Sequence, residues 1–340
     1  KGIVIREPSV VAIHKKTKKI IAIGSEAKKM VGKTPATIST IRPLRGGVIA
    51  DFDATCSMIS YYIQSIHEVG NVFPVAWSKP KVVIGIPSAV TEVQRRAVWE
   101  AALNAGAREA FLIEEPMAAA IGEGVSVFAP TGSMIVDIGG GTTEIAIISL
   151  GGIVISKSLL LAGDDMDRAI MHYIRLRHGL LLGERTVEEL KIKIGSTYEQ
   201  KSKLKNEPIR QAQGENGKNK DEKEILNSLP ADRQGQFSTL NSQKDRVAVV
   251  RGRDIETGLP KSLRITEVEV REALAPVLSE IIEGISEVLE EAPPELTVDI
   301  LEHGILLTGG GSLLPGIDKV IVERTHISVI KSEDPLTSVV

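Results

Sequence analysis

Residues 137–144 read Asp-Ile-Gly-Gly-Gly-Thr-Thr-Glu and lie between two apolar segments, so they predict two antiparallel strands joined by a glycine turn. Three glycines let a backbone approach an anion closely and aim several N–H groups at it, as phosphate-binding loops do. Asp137, at the end of a strand, suits the water shell of Mg²⁺, and Thr142 and Thr143 offer hydroxyls to a terminal phosphate. The alternative is a hairpin turn without a ligand. Three consecutive glycines are more mobile than a simple turn requires, which favours a phosphate site.

A second glycine loop, Thr308-Gly309-Gly310-Gly311-Ser312, follows the apolar residues 305–307. The pattern predicts a buried strand, the loop and then a helix, whose N-terminus favours an anion or the sugar and base of a nucleotide. By itself the loop fits a structural strand-to-helix turn equally well. Two such loops in one chain strengthen each other as ligand sites.

Ahead of the first glycine turn, apolar segments alternate with helical patterns. Residues 81–86 and 111–113 are predicted strands, Thr91 with Gln94 forms the capping box of a helix, and Pro116 opens an Ala-rich helix. Strand, helix, strand, helix predicts a doubly wound α/β layer.

Residues 3–5, 10–13 and 20–23 form three short β-rich segments that predict a small antiparallel meander. Residues 134–160 repeat this pattern after the first half of the chain. The fold class is therefore α/β, with two related halves that face a cleft.

The composition argues against several functions. Lys and Arg number 41 and Asp and Glu 44 in the 340 residues, and a formal charge of −3 argues against nucleic acid as a main partner. The single cysteine, Cys56, excludes an internal disulfide and a cysteine-rich zinc site, and it suits a reducing compartment. The sequence contains neither an apolar run long enough for a membrane span nor a signal peptide, so we expect it in the cytoplasm.

Two pairs of charged residues allow both a structural and a functional interpretation. Glu114 and Glu115 lie between a strand and a helix, where a carboxylate usually interacts with the helix dipole but can also position an attacking water. Glu188 and Lys191 are three residues apart on one predicted helix, a spacing that is typical of a solvated ion pair.

Two segments of the chain predict loops. Residues 71–77 are apolar but contain Pro74, so they predict a loop that is either buried against the body or offered to a membrane or partner. Residues 199–245 are rich in Gln, Asn and balanced charges, and they contain too few large apolar side chains to offset the entropy of ordering. This composition predicts a disordered insertion.

In their order along the chain, these features resemble the bacterial actin homologues of the MreB family, in the superfamily that includes actin, heat-shock chaperone ATPases and sugar kinases. The matching stretches are KGIVIREPSVVAI (1–13), VGKTPATISTIRPLRGGVIAD (31–51), FLIEEPMAAAIG (111–122), VDIGGGTTEIAIISL (136–150), GRDIETGLP (252–260) and ILLTGGGSLL (305–314).

The resemblance implies an actin-like α/β fold, in which two duplicated domains flank a nucleotide cleft and each carries a smaller subdomain. Its expected subdomains are IA (1–11 and 54–137), IB (12–53), IIA (138–163 and 269–340) and IIB (164–268, with the disordered insertion at 199–245). The family's first phosphate loop, an Asp-Leu-Gly-Thr-Ala-Asn hairpin, is expected upstream of Lys1 and its final helix beyond Val340, so subdomain IA is expected here without its first strands.

The resemblance also implies ATP and Mg²⁺ as cofactors of a slow ATPase. Asp137 would hold the metal through water, Glu115 would position the attacking water, and Thr142 would sense the terminal phosphate. The residues that the resemblance assigns to nucleotide binding are Gly139, Gly140, Gly141, Thr142, Thr143, Glu188, Glu189, Leu190, Lys191, Thr308, Gly309, Gly310 and Gly311.

The implied function is that of a cytoskeletal filament on the inner face of the cell membrane, which organises cell-wall synthesis and rod shape. The implied partners are further copies in paired protofilaments, membrane lipid, and proteins of wall synthesis and cell shape. The residues expected to enter lipid are Val72, Phe73, Val75 and Trp77. Two alternatives stay open: a small-molecule kinase of the same fold, and a structural subunit that binds no nucleotide.

Overall fold

The protein is described by a computed structural model that covers residues 2–69, 79–198 and 246–340. The predicted lipid loop with Val72, Phe73, Val75 and Trp77 and the predicted insertion at 199–245 lie outside the described residues. Within the described part of the chain, no helix is both long enough and apolar enough to cross a membrane.

The first structured unit is a small antiparallel sheet. Strand β1 (Val11–His14) pairs with β2 (Ile20–Ile23) on one side and with β3 (Ile38–Ile41) on the other, and helix α1 (Ser25–Met30) packs against the sheet. The predicted strand at residues 3–5 is wrong. Its apolar side chains are largely exposed, and its backbone pairs with no strand of the described residues. The free edge of β1 is instead occupied by β3.

A short hairpin, β4 (Leu44–Arg45) and β5 (Val48–Ile49), follows this unit. Gly46 and Gly47 form its turn, and both have positive φ angles, 53° and 70°. Two-residue hairpins favour such a turn because its twist matches that of the strands.

The first large unit is a parallel pair of strands with helices packed against it. Its elements are α2 (Phe52–Val69), β6 (Lys81–Ile86), α3 (Glu92–Asn104), β7 (Glu109–Glu114) and α4 (Glu115–Gly122). Strands β6 and β7 pair in parallel, as the alternation of strands and helices predicts. The predicted capping box of α3 is confirmed, since the Thr91 side chain accepts from the Gln94 backbone and Gln94 in turn accepts from the Thr91 backbone.

A five-stranded mixed sheet forms the centre of the second half. Its strands lie in the order β10 (Gly152–Leu159), β9 (Thr143–Ser149), β8 (Ser133–Ile138), β14 (Ile305–Thr308) and β15 (Val329–Lys331). Strands β8, β9 and β10 are antiparallel neighbours, whereas β8, β14 and β15 run parallel. Every residue of β9 is buried, as expected for a strand covered on both faces.

A second small unit lies beside this sheet. It contains α5 (Gly163–His178), β11 (Leu180–Leu181), α6 (Glu184–Ile194), β12 (Val247–Asp254) and β13 (Pro260–Thr266). The three strands form one antiparallel sheet.

The remaining helices cover the large sheet of the second half. They are α7 (Glu267–Glu291), α8 (Pro294–His303), a 3₁₀ turn (Gly310–Leu313) and α9 (Ile317–Thr325). The main hydrophobic core lies between this sheet, α5, α6 and α7, and it is built mainly from Ile, Val, Leu and Ala. The predicted α/β class is confirmed, while the bounds of the four subdomains stay a prediction.

Candidate functional site

The two predicted glycine loops lie side by side. Strands β8 and β14 are parallel neighbours with Asp137 opposite Thr308, so both loops leave the same edge of the sheet. Gly309, with a φ of 80°, packs so closely on the end of β8 that an added Cβ would overlap Asp137 Oδ1 and Ile138 O. This edge, where parallel strands end, is where open α/β sheets bind ligands.

The first glycine turn rests on the N-terminus of α5. Gly163 N donates to Gly139 O over 3.1 Å, and Asp164 N donates to Gly140 O over 2.7 Å. The N–H groups of Gly140, Gly141 and Thr142 have no acceptor among the described residues. The turn therefore directs its carbonyls at the helix and keeps several donors for an anion.

The second loop is supported by a buried hydroxyl network. Thr308 is fully buried, and its Oγ1 donates to Ser338 Oγ over 2.7 Å. Ser338 and Ser332 both donate to Glu123 Oε1 over 2.6 Å. The helix predicted to follow the second loop does not begin at Ser312, because the loop closes into a 3₁₀ turn in which Ser312 Oγ donates to Gly309 O.

Three carboxyl groups converge below the glycine turn. Asp137 and Glu144 are opposite each other in the β8–β9 ladder, and Glu115 is the first residue of α4. Burial, followed by the charges of Asp137 and Glu144, raises the pKa of Glu115 to about 7. Burial, followed by the charge of Glu144, raises the pKa of Asp137 to about 6. Carboxylates that repel each other in a buried site are typical of catalytic and cation-binding centres.

Glu144 was missed as a site residue by the sequence reasoning. It is fully buried, and its Oε2 accepts from Ser88 N over 3.0 Å and from Ser158 Oγ over 2.6 Å. Its Oε1 has no hydrogen-bond partner in the described part of the chain. The signal was present in the motif, because Asp137 and Glu144 are equally far from the centre of the glycine turn and must face each other across the hairpin.

Gly46 and Gly47 were also missed. An added Cβ on Gly141 would lie 3.1 Å from Gly46 N, and one on Gly47 would lie 3.4 Å from Thr142 Cγ2. The β4–β5 hairpin thus contacts the first glycine turn directly. Its sequence signal is a glycine pair whose lack of side chains allows this close approach.

Helix α6 places its predicted ligand residues in different surroundings. Lys191 Nζ donates to Gly163 O over 2.7 Å and lies 2.8 Å from Asp167 Oδ1, which ties it to the N-terminus of α5 and hence to the first turn. Glu188 instead forms an ion pair with Lys28 of α1 at 2.8 Å.

The side chains of two further predicted ligand residues on α6 contact other parts of the protein rather than the glycine loops. Glu189 pairs with Arg185 one turn earlier, and Leu190 is buried in the main core. Thr186 and Glu189 have the spacing of a capping box, but they do not cap this helix, because it already begins at Glu184 after Gly183.

The predicted carboxylate pair divides into two roles. Glu114 Oε1 accepts from an Arg95 guanidinium nitrogen over 3.0 Å, so Glu114 forms a structural ion pair between β7 and α3. Glu115 has the raised pKa and the carboxylate neighbours of the site.

Comparison with known protein families identifies the chain. Residues 1–226 and 235–340 match the family model described as MreB/Mbl protein. The chain belongs to the MreB/Mbl family.

Relatives with known names support this assignment. The chain is 41% identical over 336 residues to the cell shape-determining protein Mbl of Bacillus cereus, which covers 99% of this chain and 87% of that protein. It is 42% identical over 342 residues to the cell shape-determining protein MreB of Escherichia coli, with 99% and 85% coverage. The crystal structure of MreB5 of Spiroplasma citri bound to ADP has 33% identity and a TM-score of 0.81, covering 100% of this chain and 88% of that one. This similarity confirms the expected actin-like fold.

In this MreB/Mbl protein, the geometry gathers Glu115, Asp137, Thr142 and both glycine loops at one sheet edge. The ligand assigned to each residue stays a prediction.

Proposed function

We propose that this MreB/Mbl protein is a slow ATPase that assembles into filaments and helps to determine cell shape. The observation that carries the proposal is the juxtaposition of two glycine loops at one sheet edge, directly above a cluster of buried carboxyl groups. This arrangement provides backbone donors for phosphates and carboxylates for a cation and a water.

The nucleotide would lie between the two loops. The free N–H groups of Gly140, Gly141 and Thr142 would bind its phosphates, while the loop at 308–311 would close around its adenosine. The Spiroplasma citri relative was crystallised with ADP, which supports nucleotide binding as a property of this chain. Lys191 would position the N-terminus of α5 through Gly163 O.

The carboxyl cluster fits a divalent cation. Asp137 is buried beside Glu144, and Glu144 Oε1 is a buried carboxyl oxygen without a hydrogen-bond partner in the described part of the chain. Asp137 would hold Mg²⁺ through water, because this ion keeps several of its waters and takes few carboxylates. When bound, Mg²⁺ would neutralise charge on the phosphates.

Glu115 would orient the attacking water. Its pKa of about 7 lies near the working pH, where a carboxylate can accept a proton and return it. At the start of α4, the Glu115 side chain packs against Gly85. A Cβ placed on Gly85 would lie 3.4 Å from Glu115 Cγ. Catalysis would therefore depend on position and electrostatics rather than on a covalent intermediate.

The cellular role follows from the relatives, two of which are named cell shape-determining proteins. We propose that the filament lies on the inner face of the cell membrane and guides proteins of wall synthesis. Val72, Phe73, Val75 and Trp77 supply the apolar and aromatic side chains that enter the lipid interface most readily.

The decisive experiment is co-sedimentation with anionic liposomes, with and without Mg-ATP, followed by negative-stain microscopy of the pellet. Filaments on lipid that require nucleotide are the expected result. A variant with Phe73→Asp and Trp77→Asp should form filaments without binding vesicles, and Phe128→Asp, which also replaces an exposed aromatic residue, is the control for added charge.

The two rival functions give other outcomes. Transfer of the terminal phosphate to a sugar would favour the kinase. Filaments together with a flat ATP titration would favour a structural subunit that binds no nucleotide.

A further inference from the structure

The chain segment after β15 is attached to the second glycine loop. Pro335 O accepts from the backbone N–H of Gly309 over 3.0 Å. Ser338 Oγ accepts from Oγ1 of the fully buried Thr308 over 2.7 Å. We call residues 332–339 the strap. Since both hydrogen bonds reach the loop that is proposed to close around adenosine, a movement of that loop would also move the strap.

The strap also lies beside both ends of helix α4. At the C-terminal end, Gly122 packs so closely on the strap that an added Cβ would overlap Ser338 O. Near the N-terminal end, a Cβ added to Gly85 would lie 3.3 Å from Val339 Cγ1 and 3.4 Å from Glu115 Cγ. The strap therefore contacts the last residue of α4, and it contacts the glycine against which the proposed water-orienting carboxylate packs.

Glu123, the C-cap residue of α4, joins these contacts into one network. Its Oε1 accepts from Ser332 Oγ and from Ser338 Oγ, each over 2.6 Å, although the two serines are 209 and 215 residues away in the sequence. Hydroxyl donors form short and strong hydrogen bonds with a carboxylate. Because Thr308 donates to Ser338, a continuous chain of hydrogen bonds runs from the second glycine loop to the end of α4.

Helix α4 connects the position of its last residue with the position of its first. It has eight residues, and it is therefore about 12 Å long at 1.5 Å per residue. Pro116 and three alanines of the helix are buried, so the helix is closely packed and moves as one body. A displacement of Glu123 would consequently displace Glu115, and a catalytic group that is displaced by about 1 Å loses much of its effect.

We propose that Glu123 is a positioning residue for ATP hydrolysis: through Ser338 it ties the second glycine loop to α4 and thereby holds Glu115 at the attacking water. The inference rests on the proposed ATPase activity and adds a residue to it that touches neither the nucleotide nor the water. Binding of the adenosine end of the nucleotide at the second loop would then set the position of a carboxylate at the phosphate end. Binding energy from a part of the substrate that does not react is thus used at the reacting centre.

The first test is steady-state ATP hydrolysis by the full chain, at a concentration below the threshold for assembly. Glu123→Ala removes the acceptor and should lower kcat about tenfold while KM stays within about twofold, because the donors for the phosphates are unchanged. Ser338→Ala interrupts the same chain of hydrogen bonds and should have the same effect. Glu123→Gln keeps an acceptor oxygen for both serines and should restore kcat to within about twofold of the unchanged chain. Ser126→Ala, at an exposed serine in the loop after α4, is the matched control.

A double-mutant cycle separates positioning from a merely structural role. If Glu123 acts through Glu115, Glu123→Ala should change kcat less than about twofold in a chain that already carries Glu115→Ala. The same tenfold loss in that background would overturn the inference, and so would an unchanged kcat in the single variant Glu123→Ala. If Glu123→Ala does not fold, Ser338→Ala takes its place in the cycle.

Hydrogen exchange with and without ADP distinguishes a failure of this inference from a failure of the proposed function. In the unchanged chain, ADP should slow amide exchange both in the loop at 308–311 and in α4, whereas in Glu123→Ala it should slow exchange only in the loop. Equal protection of α4 in both proteins would overturn the inference and leave the proposed nucleotide site intact. If the unchanged chain hydrolyses no ATP and ADP protects neither segment, the proposed function fails and the inference fails with it.

Discussion

Lys28 of α1 and Glu188 of α6 form an ion pair with 2.8 Å between Nζ and Oε1, although they are 160 residues apart in the sequence. They belong to the two small units, one built on β1–β3 and the other on β11–β13. Arg42 reinforces the connection, since it pairs with Asp164 at the N-terminus of α5 and lies 3.3 Å from Glu184 of α6. Charged pairs thus connect the two small units beside the glycine turn.

Breaking this pair should speed the release of nucleotide. Both side chains are substantially exposed, so the ion pair contributes little free energy to the contact between the two small units. We therefore expect Lys28→Glu to raise the release rate only about two- to fivefold. Stopped-flow release of a fluorescent ADP measures this rate. Lys29→Glu is the matched control, because Lys29 pairs with Glu26 inside the same helix. The exchange of charges in Lys28→Glu with Glu188→Lys should restore slow release, and a failure to do so would assign Glu188 to the ligand instead.

Replacement of Glu115 should separate binding from catalysis. Glu115→Ala removes the proposed water-orienting carboxylate but no backbone donor, so nucleotide affinity should stay unchanged while phosphate release slows by on the order of 100-fold. Glu114→Ala is the control, because Glu114 pairs with Arg95 and only its structural role is lost. Unchanged turnover in Glu115→Ala would remove this residue from the catalytic role.

The sequence predicted those parts of the molecule that depend on local chemistry. The two glycine loops, the capping box of α3 and the antiparallel strand β9 follow from residue types at short range, and all are found where the patterns place them. Glu144 and the glycine pair Gly46-Gly47 each carry a local signal, but they were missed because the importance of that signal depends on contacts between distant segments. Glu144 faces Ser88, which is 56 residues away, and no periodicity records such a contact.

The strand predicted at residues 3–5 shows that local sequence can also predict an element that does not form. Its residues have high β-propensity, but a strand forms only when an edge is available for pairing. β3, with two isoleucines flanking Ser39 and Thr40, occupies that edge of β1. Pairing with a distant segment, rather than local β-propensity, therefore decided the outcome.

The second and third glycines of the first turn, Gly140 and Gly141, should respond differently to alanine. An added Cβ on Gly141 would lie 3.1 Å from Gly46 N, so Gly141→Ala must displace the β4–β5 hairpin and should lower the free energy of unfolding by about 1–3 kcal/mol. Gly140 has open space at the same position, so Gly140→Ala should leave stability within about 0.5 kcal/mol of the unchanged chain. Urea denaturation measures both values.

If the open space at Gly140 holds a phosphate, Gly140→Ala should still weaken ATP binding, because the added methyl group would occupy that space. A titration with a fluorescent nucleotide measures this affinity. Unchanged affinity would place the phosphate elsewhere.

The carboxyl cluster should make the nucleotide-free protein less stable as the pH rises. In the folded state Glu115 and Asp137 have pKa values of about 7 and about 6, above their ordinary values of 4.5 and 3.8, so the folded protein keeps protons that the unfolded chain has released. The free energy of unfolding therefore falls between about pH 4 and pH 7, by about 1.4 kcal/mol for each unit of pKa shift.

Urea denaturation of the unchanged chain and of Glu115→Gln from pH 5 to pH 8 tests this dependence. Glu115→Gln should show a shallower fall, whereas Glu109→Gln, which replaces a half-exposed glutamate outside the cluster, should follow the unchanged chain. A stability that rises with pH across this range would show that the three carboxyl groups are not held together in the folded protein.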